Sequence, residues 1–163
     1  MKQLKKEYAR SIIFGIEDSL VSTTGLIVGL NVGSSDRKVV ILGGLVAIGI
    51  EAVSMGAGEY LSDDAVQDLD KLKRSQEKPL ISGLLMFIAY LLAGFIPLAP
   101  ILLFPYSMAI YFSVAFALCG LFLLGYTKGK LLHTSAFRGA FKILIVGGLA
   151  TVLGTMIGFI FKV

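Results

Sequence analysis

The sequence predicts an all-α integral membrane protein with five transmembrane helices, and three observations support this fold class. Of the 163 residues, 56% are hydrophobic and 16% are charged, and the mean hydropathy is +0.84, which is far from the balance of a soluble domain. The apolar residues form five stretches that each reach the roughly 20 residues needed to cross a bilayer. Glycines recur four apart within several of them, a spacing typical of packed membrane helices.

We expect residues 1–163 to form a single membrane domain with no cleaved signal peptide. A basic tail precedes the first span, a short polar turn follows it, and a connector of mixed charge follows the second. The predicted spans are residues 11–32, 39–61, 80–103, 106–126 and 139–163, and residues 62–79 form the cytoplasmic connector.

Small residues in the first two spans predict close helix packing. Gly25, Gly29 and Gly33 repeat every four residues in the first span, and the second span has a small-residue face of its own. Because such stripes let two backbones approach closely, we expect the first two helices to pack together. We also expect the first helix to form most of a homodimer interface.

The third span is strongly hydrophobic, and we expect Pro97 and Pro100 to break it near its far end. Pro105 marks the start of the fourth span, and Gly154 and Gly158 lie four apart in the fifth. The second helix is expected to continue past its span before Pro79 redirects the chain.

The basic residues predict the orientation. The tail, the connector and residues 128–142 hold four Lys or Arg each, whereas the opposite side holds only Arg37, Lys38 and Lys162. Since Lys and Arg are in excess on the cytoplasmic side, the N-terminus is predicted to be cytoplasmic and the C-terminus outside or lumenal.

The sequence gives no support for an enzyme. It has one histidine, His133, and one cysteine, Cys119, without a nucleophile and base pair or a phosphate-binding glycine loop. The basic residues flank membrane spans, which is typical of contact with an anionic leaflet and not with nucleic acid. We therefore expect no catalytic site, no permanently bound cofactor and no nucleic-acid partner.

Carboxylates within the second span indicate an ion site. Glu51, Met55 and Glu59 are spaced to lie on one helix face, although a charge at the bilayer centre costs about 2.5–3.5 kcal/mol. A purely structural alternative is that Glu59 sits at the interface and Glu51 is protonated or hydrogen-bonded to a neighbouring helix.

Depth along the helices places a fourth group beside these three. Asp18 lies about 10 Å and Met55 about 9 Å from the cytoplasmic side at 1.5 Å per residue, so the two should be level. Glu51 is then one turn deeper and Glu59 one turn shallower, whereas Glu17 should face another neighbour or the partner subunit. The candidate metal ligands are Asp18, Glu51, Met55 and Glu59.

This mixture of ligands predicts the substrate. A thioether among carboxylates favours softer first-row ions such as Fe²⁺ or Mn²⁺, and carboxylates that release the metal can bind protons in its place. The connector is either a solvated link or a region that collects ions at the cytoplasmic mouth. The candidate residues for this mouth are Asp63, Asp64, Asp68 and Asp70.

Two motifs resemble those of the vacuolar iron transporter family: FGIEDSLVS at residues 14–22 and EAVSMGAGEYLS at residues 51–62. The resemblance covers the five-span layout. It implies a homodimer that exports ferrous iron, and often manganese, from the cytosol in exchange for protons. It also implies that Asp18 and Met55 are metal ligands on the transport path.

The chain departs from the family pattern in three places. Ser19 replaces the glycine that usually follows the aspartate, and Ala47 stands where plant-like members have a second-helix carboxylate. Residues 62–79 are too short for the family's long cytosolic metal-binding domain, so the chain resembles a short form. Because Ala47 has no charge, the role of Glu51 depends on the spacing argument alone.

The sequence thus predicts an Fe²⁺ and Mn²⁺ transporter with its path at the subunit interface, lined by both copies of the first two helices. Two alternatives stay open: a proton-coupled exporter of small organic cations, and a non-transporting scaffold subunit whose carboxylates only specify helix pairing. The sequence does not assign roles to Glu17 or His133.

Overall fold

The computed structural model describes residues 2–34, 36–69, 78–131 and 134–162. These residues form five α-helices: α1 (Lys2–Ser34), α2 (Arg37–Leu69), α3 (Pro79–Leu103), α4 (Tyr106–Leu131) and α5 (Ala136–Ile160). Each of the five is long and apolar enough to cross a membrane. The predicted all-α fold class with five candidate spans is confirmed.

Three helices extend well beyond the predicted spans, and one of them is α4, which runs to Leu131. α1 already begins at Lys2, because the basic tail is rich in good helix formers such as Lys, Leu, Glu and Ala. α2 continues to Leu69, which confirms that it runs on past its span. Asp70 and His133, which the sequence analysis considered, lie outside the described residues.

The prediction that prolines break the third span is wrong. α3 continues through Pro97 and Pro100 and ends at Leu103. Ser113 of α4 donates a hydrogen bond to the Pro97 carbonyl at 2.6 Å, and the Arg37 guanidinium donates to two carbonyls at the end of α3 at 2.8 and 2.9 Å. These bonds hold the end of α3 against α4 and α2, whereas the carbonyls that the two prolines leave without an intrahelical donor lie one turn earlier in the helix.

The glycine stripe of α1 packs against α5, not against α2. A Cβ atom built on Gly25 would lie 3.0 Å from the Ala150 carbonyl oxygen, and one on Gly29 would lie 3.0 Å from the Gly154 carbonyl oxygen. The two backbones therefore touch directly. The first two helices do touch, through Ser11 and Ser22 of α1, but the glycine stripe is covered by α5 of the same subunit and is not the surface that joins them.

The second helix instead packs most extensively against α3. A Cβ atom on Gly56 would lie 2.9 Å from the Gly83 carbonyl oxygen of α3. The side of α2 that faces away from α3 is open, since Leu42, Ile50 and Val53 share one side of the helix and are largely exposed. α2 thus has one closely packed face and one free face.

The contact between α1 and α5 predicts a clear difference between two glycines of α5. Gly154→Ala would place a methyl group against the Gly25 backbone, and overpacking of this kind destabilises by about 1–3 kcal/mol. We expect a lower unfolding temperature for the detergent-solubilised protein. Gly148→Ala is the matched control, because Gly148 has open space around it, and an equal loss in both variants would contradict the packing described here.

Candidate functional site

Two hydrogen bonds fix how α1 and α2 lie against each other. Ser22 of α1 donates to the Glu51 carboxylate at 3.1 Å, and Ser11 donates to Glu59 at 2.6 Å. The helices are therefore antiparallel, with serines of α1 opposite carboxylates of α2. One helical turn from the Ser22 and Glu51 pair, Asp18 on α1 and Met55 on α2 come to the same level.

Asp18 and Met55 are both partly buried. The Asp18 carboxylate lies within electrostatic reach of Glu51 and of its neighbour Glu17. No hydrogen bond joins Asp18, Met55 and Glu51 to one another in the described part of the chain. The middle of the α1 and α2 contact therefore places two carboxylates and a thioether near one level, and no Lys or Arg among the described residues pairs with either carboxylate.

Glu51 is held by hydroxyl groups from two other helices. The Tyr90 hydroxyl of α3 donates to its Oε2 atom, which also accepts the bond from Ser22, and the two hydroxyl oxygens are 2.5 Å apart. These contacts agree with the structural interpretation of Glu51 as hydrogen-bonded to neighbouring helices. They also leave the second oxygen, Oε1, without a hydrogen-bond donor among the described residues.

Tyr90 is a residue that the sequence analysis missed. Its side chain is completely buried, although tyrosines in membrane proteins usually lie at the interfaces. A tyrosine in the middle of an apolar span needs a partner for its hydroxyl group. This requirement is the feature of the sequence from which a polar contact of Tyr90 could have been predicted. Its position did not show that the partner would be Glu51.

Glu59, at the end of the bundle where α1 begins, already has a cation. Its Oε1 atom accepts hydrogen bonds from Arg10 at 2.9 Å and from Ser11 at 2.6 Å. Arg10 also lies 3.4 Å from Glu7 and 3.7 Å from Asp63. Glu59 therefore belongs to an ion-pair network, two turns along α2 from Glu51.

The aspartates predicted to line the cytoplasmic mouth do not form a common cluster among the described residues. Asp64 and Asp68 are exposed, and Asp70 lies outside the described residues. Of the candidate mouth residues, Asp63 alone forms an ion pair within the described ranges.

Glu17 is paired with α4. Its carboxylate lies 3.6 Å from the Lys128 ammonium, which confirms that it faces a different neighbour from Asp18. Glu17 and Lys128 both line a cavity of about 760 Å³. The wall of this cavity also includes Glu59, Lys6, Arg10 and Phe14. This cavity opens beside the Arg10 network.

The described part of one subunit contains no complete metal site built from acidic residues. Among the described residues, no three or more His, Cys, Asp or Glu side chains are grouped so that they could hold a metal ion. The predicted ligands are instead spread along the α1 and α2 contact in two parts: the Asp18, Glu51 and Met55 level, and the Glu59 level about 12 Å from Glu51 along the helix.

Comparison with known proteins agrees with the two motifs and the five helices. The VIT family model matches residues 9–78 and 65–159. Vacuolar iron transporter 1 of Arabidopsis thaliana is 39% identical over 80 residues, which are 48% of this chain and 32% of that protein. Vacuolar iron transporter 1 of Eucalyptus grandis is 31% identical over 80 residues, with the same shares.

A longer match extends over most of the chain. Vacuolar iron transporter homolog 1 of Arabidopsis thaliana is 27% identical over 158 residues, which are 90% of this chain and 79% of that protein. In contrast, the matches to the two vacuolar iron transporter 1 proteins cover only about a third of the length of those proteins. Because the family model covers nearly the whole sequence, including both motifs and all five helices, this integral membrane protein belongs to the VIT family.

Proposed function

We propose that this protein transports Fe²⁺ and Mn²⁺ out of the cytosol in exchange for protons. Membership of the VIT family supports metal transport, and the relatives named above are described as iron transporters or their homologues. The observation that most supports the proposal is that Asp18 lies within electrostatic reach of Glu51, while no ion pair to either carboxylate occurs among the described residues and Met55 lies one turn from Glu51 on α2. The level of these three residues would be the central binding position of the path.

The atoms at this level suit a first-row divalent ion. The Asp18 carboxylate and the free Oε1 atom of Glu51 offer hard oxygen ligands, and the Met55 thioether offers a softer one, a combination that favours Fe²⁺ and Mn²⁺ over Mg²⁺ and Ca²⁺. A divalent cation between two carboxylates approaches electrical neutrality. Neutrality lowers the free energy needed to bring the ion into an apolar bundle.

Two copies of this level would complete the site in a homodimer. The described residues of one subunit do not group three acidic side chains at this level, whereas two subunits related by a twofold axis would supply four carboxylates and two thioethers. The open face of α2 and the Phe14 face of α1 are the surfaces next to this level that the other helices leave uncovered. We propose that the dimer forms there, with the path between the subunits.

Protons would replace the metal after its release. Asp18 and Glu51 lie close enough to repel each other, and a proton on either carboxylate removes that repulsion once the cation has left. The excess of basic residues at this end of the bundle supports a cytoplasmic position for it, and metal would then move from the Glu59 side towards the far surface.

Loss of either ligand at the central level should stop transport. In proteoliposomes that contain a metal-quenched dye and a pH dye, we expect Asp18→Asn and Met55→Ala to reduce Fe²⁺ and Mn²⁺ flux at least about tenfold, since one lost ligand can remove several kcal/mol of ion binding. The coupled proton flux should fall by the same factor.

Met108→Ala is the control for the methionine, because Met108 is an exposed residue of α4 and its loss should leave flux unchanged. Ca²⁺ and Mg²⁺ should move poorly in the wild type. If no divalent ion moves while both variants still assemble normally, the transporter proposal fails and the scaffold or organic-cation interpretation takes its place.

The hydroxyl of Tyr90 should matter for transport although it lies on a third helix. Tyr90→Phe keeps the buried ring but removes the donor to Glu51, so the carboxylate would lose its fixed orientation. We expect a several-fold lower maximal flux with little change in unfolding temperature. Tyr111→Phe, at a largely exposed position of α4, should have no effect, and a wild-type flux for Tyr90→Phe would show that Glu51 needs no such support.

A further inference from the structure

The guanidinium of Arg10 lies among three carboxylates. It is 2.9 Å from Glu59, 3.4 Å from Glu7 and 3.7 Å from Asp63. One positive charge therefore faces three negative ones, with Ser11 as an additional donor to Glu59. This cluster has the charge of a cation-binding position, and the cation that occupies it belongs to the protein.

Burial differs sharply between the two main partners. The Glu59 side chain is only 11% exposed, whereas that of Arg10 is 60% exposed. The carboxylate is thus fixed by α2 and Ser11, while the guanidinium is at the surface on a long, flexible side chain. Beside it lies the cavity of about 760 Å³, which gives the side chain room to move away without any shift of a helix.

We propose that Arg10 is a tethered cation that occupies Glu59 and Asp63 until a divalent metal ion displaces it. This inference rests on the proposed function, because Glu59 is the candidate ligand nearest the cytoplasmic mouth. The binding-competent state is the one in which Arg10 has moved away. The apparent affinity for metal is then the intrinsic affinity reduced by the fraction of molecules in that state.

The same arrangement selects for charge. A monovalent ion offers the carboxylates no more charge than the guanidinium does, and it lacks the directed hydrogen bonds of Arg10. A divalent ion doubles the positive charge next to Glu59 and Asp63, so it displaces the guanidinium where Na⁺ and K⁺ do not. Arg10 would therefore keep abundant monovalent ions out of the path.

The test compares two basic residues one turn apart on α1. Arg10→Gln should lower the Mn²⁺ concentration for half-maximal uptake by about three- to fivefold, which is the upper part of the range expected from removing an exposed competing ion pair. Lys6→Gln is the matched control: Lys6 lines the same cavity but forms no ion pair within the described residues. It should shift the value by less than about twofold.

Selectivity provides a second measurement. When Na⁺ replaces N-methylglucamine at equal ionic strength, which keeps charge screening constant, Mn²⁺ uptake by Arg10→Gln should fall and wild-type uptake should not. If Arg10→Gln does not fold, Arg10→Lys retains the charge but not the planar fork, and a smaller shift in the same direction is expected.

A double substitution shows whether Arg10 acts through Glu59. In a Glu59→Gln background, Arg10→Gln should change half-maximal uptake little, because the group that Arg10 occupies is already neutral. An equal effect of Lys6→Gln, an undiminished effect of Arg10→Gln in the Glu59→Gln background, or a weaker apparent affinity in Arg10→Gln would each overturn the inference.

Equilibrium Mn²⁺ binding to the detergent-purified protein separates this inference from the proposed function. If wild-type protein moves no metal, the proposed function fails. Tighter Mn²⁺ binding by Arg10→Gln than by wild type would still support the role of Arg10, and equal binding would overturn it. If wild-type protein moves metal and Arg10→Gln matches it in uptake and in binding, the inference about Arg10 alone fails.

Discussion

The site depends on how an acidic side chain is kept inside an apolar helix bundle. Glu51 is tolerated because Ser22 of α1 and Tyr90 of α3 both bond its Oε2 atom, and a buried carboxylate without such partners would carry a desolvation penalty of several kcal/mol. These bonds join three helices at one point. Among the described residues they leave the other oxygen of Glu51 without a donor, and the carboxylate lies within electrostatic reach of Asp18, so the same interaction stabilises the bundle and shapes the proposed ion position.

Close packing on the other side of α1 makes this arrangement available. Gly25 and Gly29 bring the α5 backbone against α1, and van der Waals contact between small residues is the main attraction between helices in a bilayer. With α5 on one side and α3 on another, the Asp18 side of α1 is left for α2. The glycines therefore contribute to the site indirectly, because they direct α5 to one face of α1 and leave the Asp18 face available for contact with α2.

The charges of the first two helices fall into two groups. Glu17 and Glu59 each have a cation of the protein beside them, Lys128 and Arg10 respectively. Asp18 and Glu51 have none among the described residues. Paired carboxylates are neutralised in place, while unpaired ones in an apolar setting attract a mobile cation or a proton. The proposed path follows this division: Arg10 lies at its proposed cytoplasmic end and would control access to the level of Asp18 and Glu51.

The sequence by itself determined the features that depend on local periodicity. Five apolar stretches were enough to predict five helices, and the i, i+4 and i+8 spacing placed Glu51, Met55 and Glu59 on one face of α2. The tertiary structure decided which surfaces meet. Gly25 and Gly29 could have packed against any helix with small residues, and only the folded chain shows that α5 is the partner. Tyr90 likewise bonds Glu51, and Ser113 and Arg37 bond the end of α3, because residues far apart in sequence contact one another only once the helices have packed.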